Sequence, residues 1–345
     1  MYHSYAEIFG QGESLDRTYR AVLARRDEIR AFFADASYDE IVFVACGSSY
    51  WASLSSAMTM QRETGVRCSA VKSGDVVLYP EYYQKAYKRP LLIAPSRSGA
   101  TTETLRAIEI LRKARGSRVF SMTIYPDSPV ARLSAMNIHI PWVNEVSVCQ
   151  TRSFSNLYLA EVMVAAIAAG NDGLLEQLRR YIGEFEALSK AADERIRHML
   201  DGFDGLEKFV ALGSGVQYGV VIEGAYITVE MAQQVAAYYG LLEFRHGPVV
   251  TADAHMLVCI THSGEPSYAD KMAEETRAKG AKVAMICDVD RYQNKDFCFS
   301  LGHEACAEAV ALYAVFVMQG IAYHRAARLG VNPDQPGDLV SWIAI

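Results

Sequence analysis

The sequence predicts an α/β protein made of two copies of one doubly wound parallel sheet flanked by helices. Two observations carry this expectation. First, short apolar runs ending in Gly alternate with helical stretches of 12 to 20 residues along nearly the whole chain. Second, the pattern is written twice. FVACGSSY with Gly47 is answered by FVALGSGVQY with Gly213, SRSGATTETL with Gly99 by THSGEPSYAD with Gly264, and KARGSRVF with Gly116 by RAKGAKVA with Gly280. The offsets are 166, 165 and 164 residues, a register that unrelated motifs would not hold.

The elements follow in order. The first ~35 residues place apolar side chains at helical spacing, as in TYRAVLARRDEIRAFFAD. IVFVACG is a buried parallel strand, and SYWASLSSAMTMQRETG the helix after it, stopped at Gly65. CSAVKSG and RPLLIAPSRSG are further strands. TTETLRAIEILRKARG is a helix opened by Thr and closed by Gly116, and RVFSMTIY and MNIHIPW complete the first sheet. A helical connector from Ser153 to about Met199 leads to the second copy. There FVALGSG, a helix VVIEGAYITVEMAQQVAAYYG, and the strands HMLVCITHSG and AKVAMICD repeat the scheme. A last helix, EACAEAVALYAVFVMQGIAYHRAARLG, precedes the tail. The expected domains are residues 1–170 and 171–345.

Composition narrows the function classes. A net charge of −6 without long charge runs argues against nucleic acid. The longest unbroken apolar run, Ala309 to Met318, is too short to span a bilayer, and MYHSYAEIFGQG lacks a secretory core. Seven cysteines, several inside apolar strands and none in a CxxC pair, read as free thiols in a reducing compartment. A cytoplasmic protein without metal or cofactor is the expectation.

In doubly wound sheets, ligands bind beyond the carboxyl ends of the strands, where turns lead into helix N-termini. The two first-copy turns supply Ser48, Ser49, Ser96, Ser98, Thr101 and Thr102 hydroxyls, backbone N–H groups and one guanidinium, Arg97. That set suits a phosphomonoester. For either turn alone, hydroxyls that merely cap helices are the simpler reading; the pair of turns favours a phosphate. A dinucleotide fingerprint is missing, because CGSSYW lacks its glycines and GSGVQYG carries Tyr218 at the third. In the second copy, Glu223, Glu230 and His246 offer a carboxylate and an imidazole, the usual pair for moving protons on sugars. A solvated helical face and a structural RHGP turn are the competing readings, and His262 in THSG is a minor candidate.

Several motifs in order resemble the SIS (sugar isomerase) family in its tandem form, as in the isomerase half of glucosamine-6-phosphate synthase and in fructosamine-6-phosphate deglycases. CGSSY resembles that family's CGTS turn, SRSGATTET its SxSGxTxDT loop and EVSVCQTRSF its EIGVASTKAF segment. LGSGVQYGVVIEGA resembles LGRGxxYPxALEGALKLKE, EFRHGP resembles GELKHGP, and the DQP of the tail resembles DVDQPRNLAKSVTVE. The resemblance implies two SIS domains. It assigns the sugar phosphate to the turns of Cys46, Gly47, Ser48 and Ser49 and of Ser96, Arg97, Ser98 and Thr101, and the sugar hydroxyls to Val148 and Gln150. It makes Glu230 the C1/C2 proton-transfer base and His246 the ring-opening histidine, which in this family comes from the neighbouring subunit. A homodimer or dimer of dimers is therefore implied.

The departures matter as much. Arg97 and Gln150 stand where the synthases carry Gln and Ser. Ile227 replaces a lysine three residues before the base, and Gly337 and Ser341 replace the Arg and the Schiff-base Lys of the tail. No glutaminase half is recognised, and Tyr2 stands in place of its nucleophilic Cys, so glutamine-dependent amination is not expected. What remains suits a substrate that brings its own nitrogen, either an amino-acid-linked sugar phosphate or an amino-sugar phosphate. Deglycase and deaminase/isomerase chemistry share the same proton transfers. Ketose–aldose isomerisation and a non-catalytic sugar-phosphate sensor stay open as alternatives. One copy gripping phosphate while the other moves protons is the expected division of labour.

Overall fold

The computed structural model describes residues 2–35, 37–203 and 205–340, with the backbone alone at 114 and 115. Ser341 lies outside the described residues. Two five-stranded sheets are present. The first contains β1 (Glu40–Ala45), β2 (Arg67–Lys72), β3 (Pro90–Ser96), β4 (Val119–Thr123) and β5 (Met136–His139). The second contains β6 (Lys208–Leu212), β7 (Ala236–Tyr239), β8 (Met256–His262), β9 (Lys282–Cys287) and β10 (Phe297–Ser300). The strand orders are β2-β1-β3-β4-β5 and β10-β9-β8-β6-β7, and every pairing is parallel. Each sheet thus sets its first strand between its second and third. The chain reverses its winding there, and that point in each sheet is the expected ligand crevice.

The chain forms two compact units that interleave along the sequence. One holds the first sheet, within Glu13–Asn144 and Arg152–Arg179; the other holds the second sheet, with residues 2–12, Glu145–Thr151 and Arg180–Leu339. In the first unit β1 and β3 are buried throughout, and Val42, Val44, Leu92 and Ala94 pack against Ala107, Ile108 and Leu111 of the helix Thr102–Arg115. Strands buried on both faces read as continuous apolar runs, which is why IVFVA and LLIAP mark them so clearly. In the second unit, Val210, Leu212, Val258, Ile260, Val283 and Met285 form the matching core with Ala269, Met272 and Ala273 of the helix Ser267–Arg277.

The helix Tyr218–Ala232 packs on the long helix Ala307–Leu329, which is buried on nearly every face. Gly224 permits the approach. A Cβ there would overlap Met318 Sδ and stand 2.5 Å from its Cε.

Two strands escaped the sequence pattern. The stretch 220–240, expected to be one helix, stops at Ala232, and Ala236–Tyr239 is the edge strand β7. The stop falls on Gln233, which takes the left-handed conformation at φ 51°, so no glycine announces it. Parallel pairing of Phe209 through Leu212 with Ala236 through Tyr239 decides the outcome. The short β10 likewise has no alternation to reveal it. Among the described residues, no helix is long and apolar enough to cross a membrane.

Candidate active site

The first sheet brings its two expected turns together. Cys46 follows β1, Ser96 ends β3, and these strands are neighbours. The helices they lead into, Gly47–Thr64 and Thr102–Arg115, therefore aim their N-termini at one crevice. Neither Cys46 nor Thr101, at the N-cap positions, makes a side-chain cap hydrogen bond. Simple capping thus does not explain these residues.

Within the loop after β3, the Gly99 N–H donates to Ser96 Oγ at 3.0 Å and the Ala100 N–H to Ser98 Oγ at 3.2 Å. Ser98 Oγ lies 3.5 Å from Thr101 Oγ1. Ser48, Ser49 and Ser96 are buried, whereas Arg97, Ser98 and Thr101 are half-buried at the crevice. Gly99 has φ 62°, and a Cβ on it would overlap Ser128 Oγ and stand 2.5 Å from Ser128 Cβ. The Ser128 hydroxyl accepts from Ala131 N at 3.4 Å, capping the next helix, so the loop is braced from behind. Cys46 faces a small hydroxyl cluster: Thr104 donates to its Sγ at 3.6 Å, and Thr104 lies 3.3 Å from Ser73 Oγ. Burial pushes the Cys46 thiol up, so it stays protonated and is no nucleophile. One cation went unnoticed in the sequence. Lys72 ends β2 in register with Ala45, and its ammonium lies over the Tyr50 ring at 5.8 Å. Only the pairing of β2 with β1 reveals that placement.

The mirrored crevice in the second sheet is built differently. Glu265 fills the start of the helix Ser267–Arg277: its carboxylate accepts from Ser267 N at 3.1 Å and Ser267 Oγ at 2.6 Å. Those bonds hold the Glu265 carboxyl below the usual carboxylate range. A phosphate entering here would meet a fixed negative charge. His262, in the position of Arg97, has Nδ1 2.8 Å from the Tyr292 hydroxyl, and burial pushes its pKa down, leaving a neutral imidazole.

Glu230 is half-buried near the end of the helix Tyr218–Ala232, on one face with Glu223 and Tyr226. Twelve residues from Tyr218 at 1.5 Å each carry it about 18 Å from the β6/β8 crevice, because the helix between parallel strands runs back toward their amino ends. Glu230 therefore does not serve the second sheet's own crevice. Ile227, three residues before Glu230, is fully buried. His246 ends the 3-10 turn Glu243–His246, pinned by fully buried Phe244 and by the Arg245–Glu275 ion pair at 2.8 Å, and its imidazole is exposed.

Val148 and Gln150 sit in the segment Glu145–Thr151, which belongs to the unit of Glu230 and not to that of the cradle. Glu7 holds this segment by accepting from Val146 N at 2.6 Å and from the Ser147 hydroxyl. Glu145 accepts from Thr151 N at 2.7 Å, and Val148 N donates to the Asp334 carbonyl at 3.0 Å. The Asp334 carboxylate in turn accepts from His3 N and Ser4 N at 2.8 Å each and from Ser4 Oγ at 2.7 Å. Asp334 belongs to the DQP of the tail, so that motif works as a clasp.

Residues 36–169 match the model of the SIS domain. That match covers the first sheet and under half of the chain. It is 26% identical over 360 residues to the glutamine–fructose-6-phosphate aminotransferase (isomerizing) of Shewanella oneidensis, covering 98% of this chain and 58% of that protein. The chain thus spans little more than half the length of the curated relatives it matches. Among solved structures, the glucosamine-6-phosphate deaminase of Thermotoga maritima aligns over 95% of this chain and 99% of its own at 26% identity, with a TM-score of 0.77. The tagatose-6-phosphate ketose/aldose isomerase of Escherichia coli aligns over 98% and 95% at 21% identity, with a TM-score of 0.83. The last likeness establishes the fold, two SIS-type parallel sheets flanked by helices.

Proposed function

We propose that the protein is an enzyme acting on an amino-linked or amino hexose 6-phosphate, as a fructosamine-6-phosphate deglycase or an amino-sugar-phosphate deaminase/isomerase. The asymmetry between the two crevices carries this reading: the first is an uncapped, hydroxyl-lined cradle with Arg97, and in the second the exposed carboxylate of Glu265 caps the helix start. Ser49, Ser96, Arg97, Ser98 and Thr101 hold the phosphate in this reading, with Cys46, Gly47 and Ser48 shaping the first turn. Val148 and Gln150 meet the sugar hydroxyls. Fully buried Ile227 in place of a lysine supports a substrate that carries its own nitrogen. The relationship to an amino-sugar-phosphate deaminase at 26% identity supports the same substrate class.

With a fructosamine 6-phosphate, Glu230 removes a proton from C1 while the C2 carbonyl oxygen gains one, giving an enaminol. Return of a proton to C2, with loss of the amine N–H proton to water, converts the enaminol to the C1 aldimine. Water adds at C1 and the amine leaves, producing an aldose 6-phosphate. His246 moves the proton that opens the sugar ring. With an amino-sugar phosphate, the same transfers end in the release of ammonia and a ketose 6-phosphate.

The deciding assay is a panel of amino-acid-linked fructosamine 6-phosphates and hexosamine 6-phosphates, scored separately for sugar phosphate and for ammonia. Sugar phosphate with free amino acid identifies a deglycase, and ammonia from a hexosamine phosphate identifies a deaminase. Tight binding of the panel without turnover would overturn the enzyme reading in favour of a sensor. The exposure of His246, with exposed Leu242 and Val250 nearby in sequence, supports donation of the histidine to a second copy of the chain. Mixed dimers of the Glu230→Gln and His246→Ala variants are then expected to regain activity. Mixed dimers shown to form yet remaining inactive would refute the shared site.

A further inference from the structure

A pocket of about 680 Å³ opens at the amino ends of the second sheet. Lys208 and Met256, which begin β6 and β8 and pair in register, both line it. Its walls are largely apolar and include Phe209, Ala237, Tyr239, Met256 and Leu329. The volume falls in the range of small-molecule sites, roughly 300–1,000 Å³. Neither Glu230, His246 nor any cradle residue is among the lining residues, so this pocket is independent of the phosphosugar reading.

One feature of the lining is chemically unfinished. Arg325, on the helix Ala307–Leu329, is half-buried and donates through Nε to Gln234 Oε1 at 3.0 Å and through Nη2 to the Leu206 carbonyl. Both acceptors are neutral. Among the described residues no carboxylate pairs with Arg325, and Nη1 has no acceptor. The neighbouring cations are compensated: Lys208 pairs with Asp253, and Arg328 with Asp201. Burial, together with the charge of Arg328, lowers the guanidinium pKa, the mark of a cation in a site short of negative charge. The acid in the lining, Glu207, is exposed, so water screens its charge. A guanidinium taken partly out of water beside apolar walls is stabilised by an anion that accepts its free N–H groups.

We propose that this pocket binds an amphipathic organic monoanion, with a carboxylate or sulfonate head on Arg325 and an apolar body of one or two rings against Phe209, Met256 and Leu329. The head completes the hydrogen-bonding set of the guanidinium, while the body replaces water over the apolar wall. Tyr239 and Gln234 bound the space, and the exposed Val235 stands at the rim.

The test uses the full chain and two fluorescent probes of nearly the same body. One is 8-anilinonaphthalene-1-sulfonate, and the other is its uncharged relative N-phenyl-1-naphthylamine. Saturable binding of the sulfonate at one equivalent per chain is expected. Arg325→Gln should weaken the sulfonate by about tenfold and leave the neutral probe within about twofold. Arg325→Lys, which keeps the charge but not the fork, should fall between. Ala237→Trp, which fills the cavity, should abolish binding of both probes. Wild-type affinity for the sulfonate in Arg325→Gln, an equal loss of both probes, or undiminished binding in Ala237→Trp would each overturn the proposal. Near-UV circular dichroism verifies the fold of each variant. If Arg325→Gln does not fold, the Lys and Trp variants decide the matter by the same criteria.

Discussion

Replacing Gly99 by Ala tests whether the cradle loop is held in a conformation that only glycine permits. At φ 62° a side chain costs about 1 kcal/mol. The added methyl would also stand 2.5 Å from Ser128 Cβ and overlap Ser128 Oγ. Overpacking of that kind costs typically ~1–3 kcal/mol. Relief by turning Ser128 away would forfeit the cap it gives Ala131 N, worth ~1 kcal/mol. The expected destabilisation is therefore about 2–4 kcal/mol. It is read as a shift of the urea midpoint in far-UV circular dichroism, together with weaker phosphosugar binding. Ser128→Gly removes both the Oγ and the Cβ that the methyl meets. The double variant should then be less destabilised than the sum of the singles by about 1–3 kcal/mol. Additivity within ~0.5 kcal/mol, or a single-variant effect below that size, would show that Ser128 does not brace the loop.

Three further outcomes are expected. Glu230→Gln should retain phosphosugar binding and lose turnover by at least about a hundredfold; wild-type turnover would remove Glu230 as the base. Arg97→Ala should weaken phosphorylated sugars by about tenfold or more and their unphosphorylated counterparts little, as isothermal titration will tell; equal weakening of both would exclude a phosphate contact. Asp334→Asn should raise amide hydrogen exchange at residues 3–9 and 145–151, because the carboxylate binds His3 and Ser4 and its backbone holds Val148. Burial pulls the Asp334 pKa up, but the bonds from Ser4 and His3 outweigh it and leave the pKa below the usual carboxylate range. The contribution is therefore complete above the unfolded-state value, ~3.9, and is lost as pH falls through the lower folded-state value. Wild-type protection of residues 3–9 should drop over that acid window and stay flat from pH 6 to 8; unchanged protection in Asp334→Asn would refute the clasp.

Much of the fold was legible because it is written in local periodicity. Buried parallel strands such as β1 and β3 must be apolar on both faces, and helices such as Thr102–Arg115 need a polar start and a left-handed stop at Gly116. The edge strand β7 was not legible. Its residues are neither alternating nor strongly apolar, and the helix before it ends on Gln233, a residue with no stop signal. The cradle could be read as a set of hydroxyls and one guanidinium. Lys72 could not, because its relation to β1 depends on parallel pairing across an intervening helix.

The sequence by itself determined the duplicated α/β scheme and the residue types gathered at the two turns of the first copy, since strand ends and repeat register are local, countable features. Only the tertiary structure decided that the Glu265 carboxylate caps its own helix, that the helix of Glu230 ends at Ala232, and which unit holds Val148 and Gln150. The last outcome rests on Glu7 and Asp334 bonding groups more than a hundred residues away in the chain. A hydrogen bond between distant segments depends on how the backbone is folded around it, and no pattern of neighbouring residues encodes that geometry.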